Sequence, residues 1–341
     1  MVKKDKLGFK LWFNIVLFNL MGGVAWNVEN MYFNTFLYNS VYAGASSEAL
    51  AGTMAPTTAI SRMVALSAIT AVVTTFIMGT FSDRMKNRKV FIAFGYIAWG
   101  IVTGLFGFIS RDNIAGLLGL SEAVQILTAT VWAVIIMDMI MTFMGSTSND
   151  SAFNAWVTDV TTPKTRPIVE TIFTVVGFAS TGIVMGIGSF AQAGKISYKS
   201  FFVILGAVVV ASGLIGLFTL EEPEHKTEVA KSNSYWSDLF YGFKPSVIKS
   251  NSRLYLALAS LCIFSCAFQV FFPYLFVYLQ YVVLTDATNT ELLSELPTSL
   301  IIVAVLAVAT LIAGLLILFK IAKKSKVWAF IPGVISLAGG L

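Results

Sequence analysis

The chain has 341 residues, of which 57% are hydrophobic and 12% charged, and its net charge is +5. Soluble domains carry about a quarter charged residues, so the composition excludes an ordinary soluble fold and points to a membrane protein. The single histidine, His225, stands in a polar stretch, and both cysteines, Cys262 and Cys266, lie inside an apolar run. That leaves no imidazole for chemistry within the membrane, no disulfide framework and no metal site.

Apolar runs long enough to cross a bilayer, about 20 residues each, fall at 11–38, 57–80, 90–109, 125–149, 168–191, 201–220, 254–284 and 299–319. A ninth begins at Val327 and is still apolar at Leu341. Lipid cannot satisfy the backbone of an open strand, so all are expected to be helices. The start, "MVKKDKLGFKLWFNIVLF", has the cationic flank of a signal peptide. The run continues to Tyr38 without a small-residue cleavage site, which favours a retained first helix. With the N-terminus inside, inner segments hold 19 of the Lys and Arg residues and outer segments 3, with Arg62 left near the start of the second span. The positive-inside rule then sets an N-in topology. It also makes the net charge a loop effect that implies no nucleic acid.

The first span is unusually polar at "GGVAWNVENMYFNTF". At helical spacing Gly23, Asn27, Asn30 and Asn34 share one face within about 60°, with Trp26 and Glu29 flanking it. Uncompensated polar groups are costly in hydrocarbon, so this face should look into a cavity or onto another helix. Amides and an indole suit a sugar, and they suit interhelical hydrogen bonding equally. Glu29 and Asp138 are the carboxylates placed deepest in their spans. An ionised acid there is costly unless paired, so both are candidate proton carriers, with Arg62 a possible partner for either.

Between the second and third spans, "GTFSDRMKNRKVF" concentrates cations around a glycine and an aspartate. Gly79, Asp83, Arg84, Arg88 and Lys89 fit Gly-x-x-x-Asp-Arg-x-x-x-Arg-Lys. In that form and place the stretch resembles the signature loop of the major facilitator superfamily, and the span count and central linker extend the resemblance along the chain. The resemblance implies that Gly79 lets two helices pack closely and that Asp83 pairs with cations to hold an inner gate shut. A plain anchor loop would explain the cations but neither the glycine nor the aspartate.

The fourth span ends in "NDSAFNAWVTDVTTPKTRPIVE". This resembles the glycoside–pentoside–hexuronide:cation symporters, the melibiose-permease-like branch. The resemblance implies a sugar contact at Asp150, with Phe153 an aromatic neighbour, Asn154 where a second aromatic is usual, and Trp156 nearby. It also implies a gate contribution from Asp159, Thr161 and Arg166. A carboxylate wetted at a helix end is the alternative for Asp150. Two departures count against the branch: Gly22-Gly23 replaces its Gly-Asp, and Ala71 and Thr75 replace the paired aspartates of its sodium site. Within the span, Asp138, Thr142, Gly145 and Asn149 share a face that should look inward. In the fifth span Gly177, Gly182, Gly186 and Gly188 are read as close-packing positions.

After 220 the composition turns polar, and residues 221–253 read as a cytoplasmic linker in which "SYWSDLFYGF" suits an interfacial amphipathic helix. The seventh span carries Pro273, which kinks a helix, beside Gln269 and Tyr274, candidates for a second share of the substrate. Placing "KVWAFIPGVI" (326–335) over "KVFIAFGYIA" (89–98) suggests an internal repeat, with Leu316 over Gly79 and Lys320 over Asp83. If the repeat holds, three to four helices would follow Leu341.

The expected fold is thus an all-α polytopic membrane protein of major-facilitator-type helical bundles, its N-terminus cytoplasmic. Residues 1–220 form a six-helix bundle, 221–253 a linker, and 254–341 a second bundle that is incomplete. The expected function is alternating-access transport of a sugar or glycoside across a bacterial cytoplasmic membrane, coupled to a cation, most simply a proton, without a cofactor. The alternatives are a proton-coupled exporter of amphipathic compounds and a non-transporting membrane scaffold or sensor. No motif supports an enzyme.

Overall fold

The computed structural model describes residues 7–85, 87–192, 194–222 and 240–278, of which the side chains of Asp83, Phe268, Gln269, Pro273 and several neighbours in 271–278 are not described. These residues fall almost wholly in the first of two compact units, Met1–Phe276; of the second, Val277–Leu341, only Val277 and Tyr278 belong to them. His225, most of the linker, the eighth and ninth runs, and the repeat around Leu316 and Lys320 lie outside the described residues.

Among the described residues, six helices are long and apolar enough to cross a membrane: Phe9–Tyr42, Pro56–Ser82, Arg88–Phe106, Ala123–Val160, Arg166–Gln192 and Tyr198–Thr219, here spans one to six. The chain is an all-helical, multi-pass membrane protein. A seventh helix runs Ser252–Tyr278. Spans one and four extend past their expected ends because amides and hydroxyls continue the helix as π-helical turns. These turns are Glu29–Phe33 and Leu37–Tyr42 in span one, and Ser146–Phe153 in span four. In the last, the Ser151 hydroxyl donates to the Ser146 carbonyl five residues back at 2.9 Å. Such wide turns recur at functional sites. Asn87 and Ser197 cap spans three and six with side-chain oxygens that accept from Val90 N and Ser200 N. In the linker, Tyr241–Phe243 is a single 3₁₀ turn with exposed aromatics, and 234–239 lie outside the described residues.

Spans three and six lie closest. A Cβ on Gly100 would meet Gly206 O and Val210 N at 2.6 Å, and one on Gly213 would meet Ala93 O at 2.7 Å. Without a hydrophobic drive between helices in lipid, small residues gain packing energy by bringing backbones together. The close-packing positions expected in span five are a correction: a Cβ on Gly177, Gly182 or Gly186 meets nothing within 4 Å, and only Gly188 is filled, by the Tyr32 ring. Gly79 also stands in open space, so it brings no helix close in this conformation. Span one packs on span five through Gly23, which gives way to Ser180, and through Asn27, whose amide donates to Ser180 Oγ at 3.1 Å.

Aromatic rings fill the bundle in tiers. Phe33 stacks on Phe106 at 3.6 Å, Trp26 sits edge-on to Trp99, and Phe153 stacks on Trp156. Large apolar side chains such as Ile69, Val72, Phe94, Ile136 and Phe218 point outward, as a bilayer-facing surface requires.

Candidate functional site

Spans one, two and four enclose a cavity of about 150 Å³ lined by Trp26, Glu29, Asn30, Asn34, Met63, Val64, Ser67, Ala68, Ala71, Asp138 and Thr142. The two deep carboxylates meet here. Thr142 Oγ1 donates to Glu29 Oε1 at 3.0 Å, and Ser67 Oγ donates to Asp138 Oδ2. Their other oxygens, Glu29 Oε2 and Asp138 Oδ1, are buried without a hydrogen-bond partner among the described residues. Among the described residues, the acids Asp138 and Asp150 act on Glu29 and no cation pairs with it. Arg62 is exposed and, among the described residues, pairs with neither acid. An unpaired buried carboxylate oxygen is costly, and two in one small cavity leave a strong attraction for a proton or another cation.

The predicted polar face of span one divides. Asn30 and Asn34 line the cavity with Trp26 and Glu29. Asn27 turns to span five, donating to Gly23 O at 2.7 Å and to Ser180 and accepting from Thr181, so it is interhelical glue. The π turn at Glu29–Phe33 changes the phase that regular spacing assumes between Asn27 and Asn34. The face predicted on span four does turn inward. Asp138 and Thr142 reach the cavity, a Cβ on Gly145 would meet the Trp99 and Trp26 rings within 2.9 Å, and Asn149 lies beyond.

Asn149 and Asp150 form a second polar cluster outside the cavity lining. Tyr96 OH donates to Asn149 Oδ1 at 2.9 Å, and the Asn149 amide reaches Asp150 Oδ1 at 3.5 Å. Ser146 Oγ donates to Asp150 Oδ2 at 3.2 Å. Gly22 makes this room, since a Cβ there would meet Tyr96 OH and Asn149 Oδ1 within 2.8 Å. Gly23, which stands where the symporter pattern has its aspartate, has a packing reason of its own, since a Cβ there would meet Ser180 Oγ at 2.5 Å. Phe153 is fully buried among Phe18, Trp156 and Phe173, and Asn154 is exposed. Neither touches the cavity. Tyr274, in the seventh helix, shares a hydrogen bond of 2.5 Å with Ser61 at the start of span two, and the side chain of Gln269 lies outside the described residues.

At the end of the bundle that carries Lys10, charges tie five spans together. Arg88 Nε lies 3.0 Å from Asp159 Oδ2, and Arg166 pairs with Glu170 and donates to Thr158. Arg84 is exposed, the Lys89 side chain is half-buried, and the Asp83 side chain lies outside the described residues. Two acids unnoticed in the sequence complete the cluster. Glu222 accepts from the backbone N–H groups of Arg88 and Lys89, both at 2.9 Å, which places an anion on the N-terminus of span three. Glu221 pairs with Lys10 and takes the Trp156 indole N–H on its carbonyl. The legible signal was a paired acid directly after an apolar span. In the cavity the missed residues were Met63, Ser67 and Ala71, one face of span two at helical spacing.

The family model described as Major Facilitator Superfamily matches residues 28–341. Among curated proteins, "Multidrug resistance protein 1" of Bacillus subtilis (strain 168) is 26% identical over 174 residues. That match covers 50% of this chain and 38% of the relative, so the chain spans well under half of that protein's length. Neither match singles out the glycoside–pentoside–hexuronide branch. No solved structure matches.

Proposed function

Because the chain belongs to the Major Facilitator Superfamily, a transporter family and not a family of enzymes, we propose that it serves proton-coupled export of amphipathic cations. The observation that carries this reading is the pair Glu29 and Asp138, each with a buried open oxygen in one cavity and, among the described residues, no cation to neutralise it. A cavity of about 150 Å³ is small beside the roughly 300–1,000 Å³ of drug-sized sites. It holds a charged head group, with the Trp26 ring as a cation–π surface and Met63 as an adaptable wall. The likeness to a multidrug resistance protein supports the same reading. Substrate and proton compete for the acids, so loading one expels the other, and the six-span bundle rocks against a second bundle around the site. The N-terminus lies in the cytoplasm, where the positive-inside rule places Lys10 and the Arg88–Asp159 cluster.

The second reading, sugar or glycoside uptake with a cation, is favoured by one observation: Asn30, Asn34 and Trp26 share the cavity with the acids. Proteoliposomes holding the full-length protein decide between them. An imposed pH gradient is expected to drive tetraphenylphosphonium accumulation that Glu29→Gln or Asp138→Asn abolishes, with no flux of a radiolabelled galactoside. Galactoside accumulation without organic-cation flux would reverse the assignment.

A further inference from the structure

Asp150 has no task in cation export as described above. It does not line the cavity, and it matches neither the gate cluster nor the aromatic core. Its surroundings nevertheless differ from those of the two cavity acids. Its oxygens are met by two neutral donors, the Ser146 hydroxyl and the Asn149 amide. Glu29 and Asp138 each have one donor and one open oxygen. The titratable groups facing Asp150 are Glu29 from span one and Tyr96 from span three. Neutral donors compensate an ionised carboxylate partly without locking it as a salt bridge would, so the group can both take and give up a proton.

Position adds the second argument. Asp138 and Asp150 are twelve residues apart in span four, roughly 16–18 Å at the helical rise. Glu29 accepts from Thr142, four residues beyond Asp138 and eight before Asp150, so it meets span four between them. The three acids form steps along the span one–span four seam. The seam starts at Asp138, which is 2% exposed, and ends at the half-buried Asp150. One turn further the exposed Asn154 donates to the Asp150 carbonyl at 3.3 Å. Trp26 joins the steps physically, since its ring lines the cavity and lies against Gly145, next to the Ser146 that donates to Asp150.

We infer that Asp150 is a proton relay between the Glu29–Asp138 cavity and the Lys10 end of the bundle, and not a substrate ligand. The inference rests on the proton-coupled reading above. A proton leaves the Glu29 carboxyl as its O–H bond breaks, and an O–H bond forms on the Asp150 carboxylate, directly or through water. Glu29 is then ionised and free to hold a cation. Asp150 passes its proton to water at the Lys10 end and returns to the carboxylate.

The test uses the full-length protein in proteoliposomes with tetraphenylphosphonium, comparing gradient-driven accumulation and trapped-pyranine proton flux with counterflow, which moves no net proton. Asp150→Asn is expected to keep counterflow within about twofold of wild type and to lower accumulation and coupled proton flux about a hundredfold. Asp150→Glu should restore both. Wild-type accumulation in Asp150→Asn, or loss of its counterflow together with accumulation, would overturn the relay. Should Asp150→Asn fail to reach the membrane, Asn149→Ala removes one donor and leaves the carboxylate in place. Slower accumulation with normal counterflow then supports the relay, and unchanged accumulation contradicts it. Coupled flux that Glu29→Gln abolishes and Asp150→Asn leaves intact refutes the relay alone, whereas wild type without any coupled flux refutes the export reading beneath it.

Discussion

Replacing Gly100 by alanine isolates the contact that sets the bundle's tightest seam. The added Cβ would sit 2.6 Å from both Gly206 O and Val210 N, and ordinary contact begins at 3.4 Å. Both obstacles are backbone atoms that cannot rotate aside, so spans three and six must part by roughly 0.8 Å, enough to forfeit a quarter to a half of each neighbouring dispersion contact. Overpacking of this kind costs about 1–3 kcal/mol, offset by up to about 1 kcal/mol of improved helix propensity. A net loss of about 1–2 kcal/mol corresponds to a fall in melting temperature of about 2–8 °C. Thermal unfolding of the purified protein in detergent, followed by intrinsic fluorescence at a fixed scan rate, measures it. Gly177→Ala is the control, since its Cβ meets nothing within 4 Å. Equal melting temperatures for the two variants, or a larger fall at Gly177, would refute the packing argument.

Glu222→Gln removes the anion from the N-terminus of span three and should cost about 0.5–2 kcal/mol in the same assay. Lys10→Ala, which breaks only an exposed pair with Glu221, should change stability by less than about 1 kcal/mol. Asp159→Asn removes the carboxylate 3.0 Å from Nε of Arg88, which is 8% exposed, and should lower stability by about 1–3 kcal/mol. Asn27→Ala and Asn30→Ala should separate cleanly. The first loosens the span one–span five contact and lowers thermal stability with transport per folded molecule unchanged, while the second leaves stability near wild type and weakens apparent substrate affinity.

Much of this bundle could be read from the sequence because composition and span length act locally. Six apolar runs became six spanning helices, and the depth of Glu29 and Asp138 within their spans marked them as a site before their meeting in one cavity was visible. Periodicity failed where the helix itself departs from regular spacing. Asn27 and Asn30 look alike at 100° per residue, yet the π turn beginning at Glu29 parts them, one onto Ser180 and one into the cavity. Glycine counting failed for a different reason. Whether a glycine admits a neighbouring helix depends on what lies across from it, and that is set by topology. Gly100 and Gly206 face each other's backbones, whereas Gly79, Gly177 and Gly182 face open space. The motif residue Asp150 pointed to a sugar by resemblance, but its donors are Ser146, one helical turn back, and its neighbour Asn149, and it stands outside the cavity lining.

The claim that Glu29 and Asp138 hold cation and proton by turns is tested most directly by equilibrium binding of tritiated tetraphenylphosphonium to the purified full-length protein, with released protons counted by a pH indicator in weak buffer. The account predicts saturable binding that releases about one proton per bound cation, with both signals lost in Glu29→Gln. Wild-type binding by the Glu29→Gln/Asp138→Asn double variant, or binding that releases no proton, would contradict it.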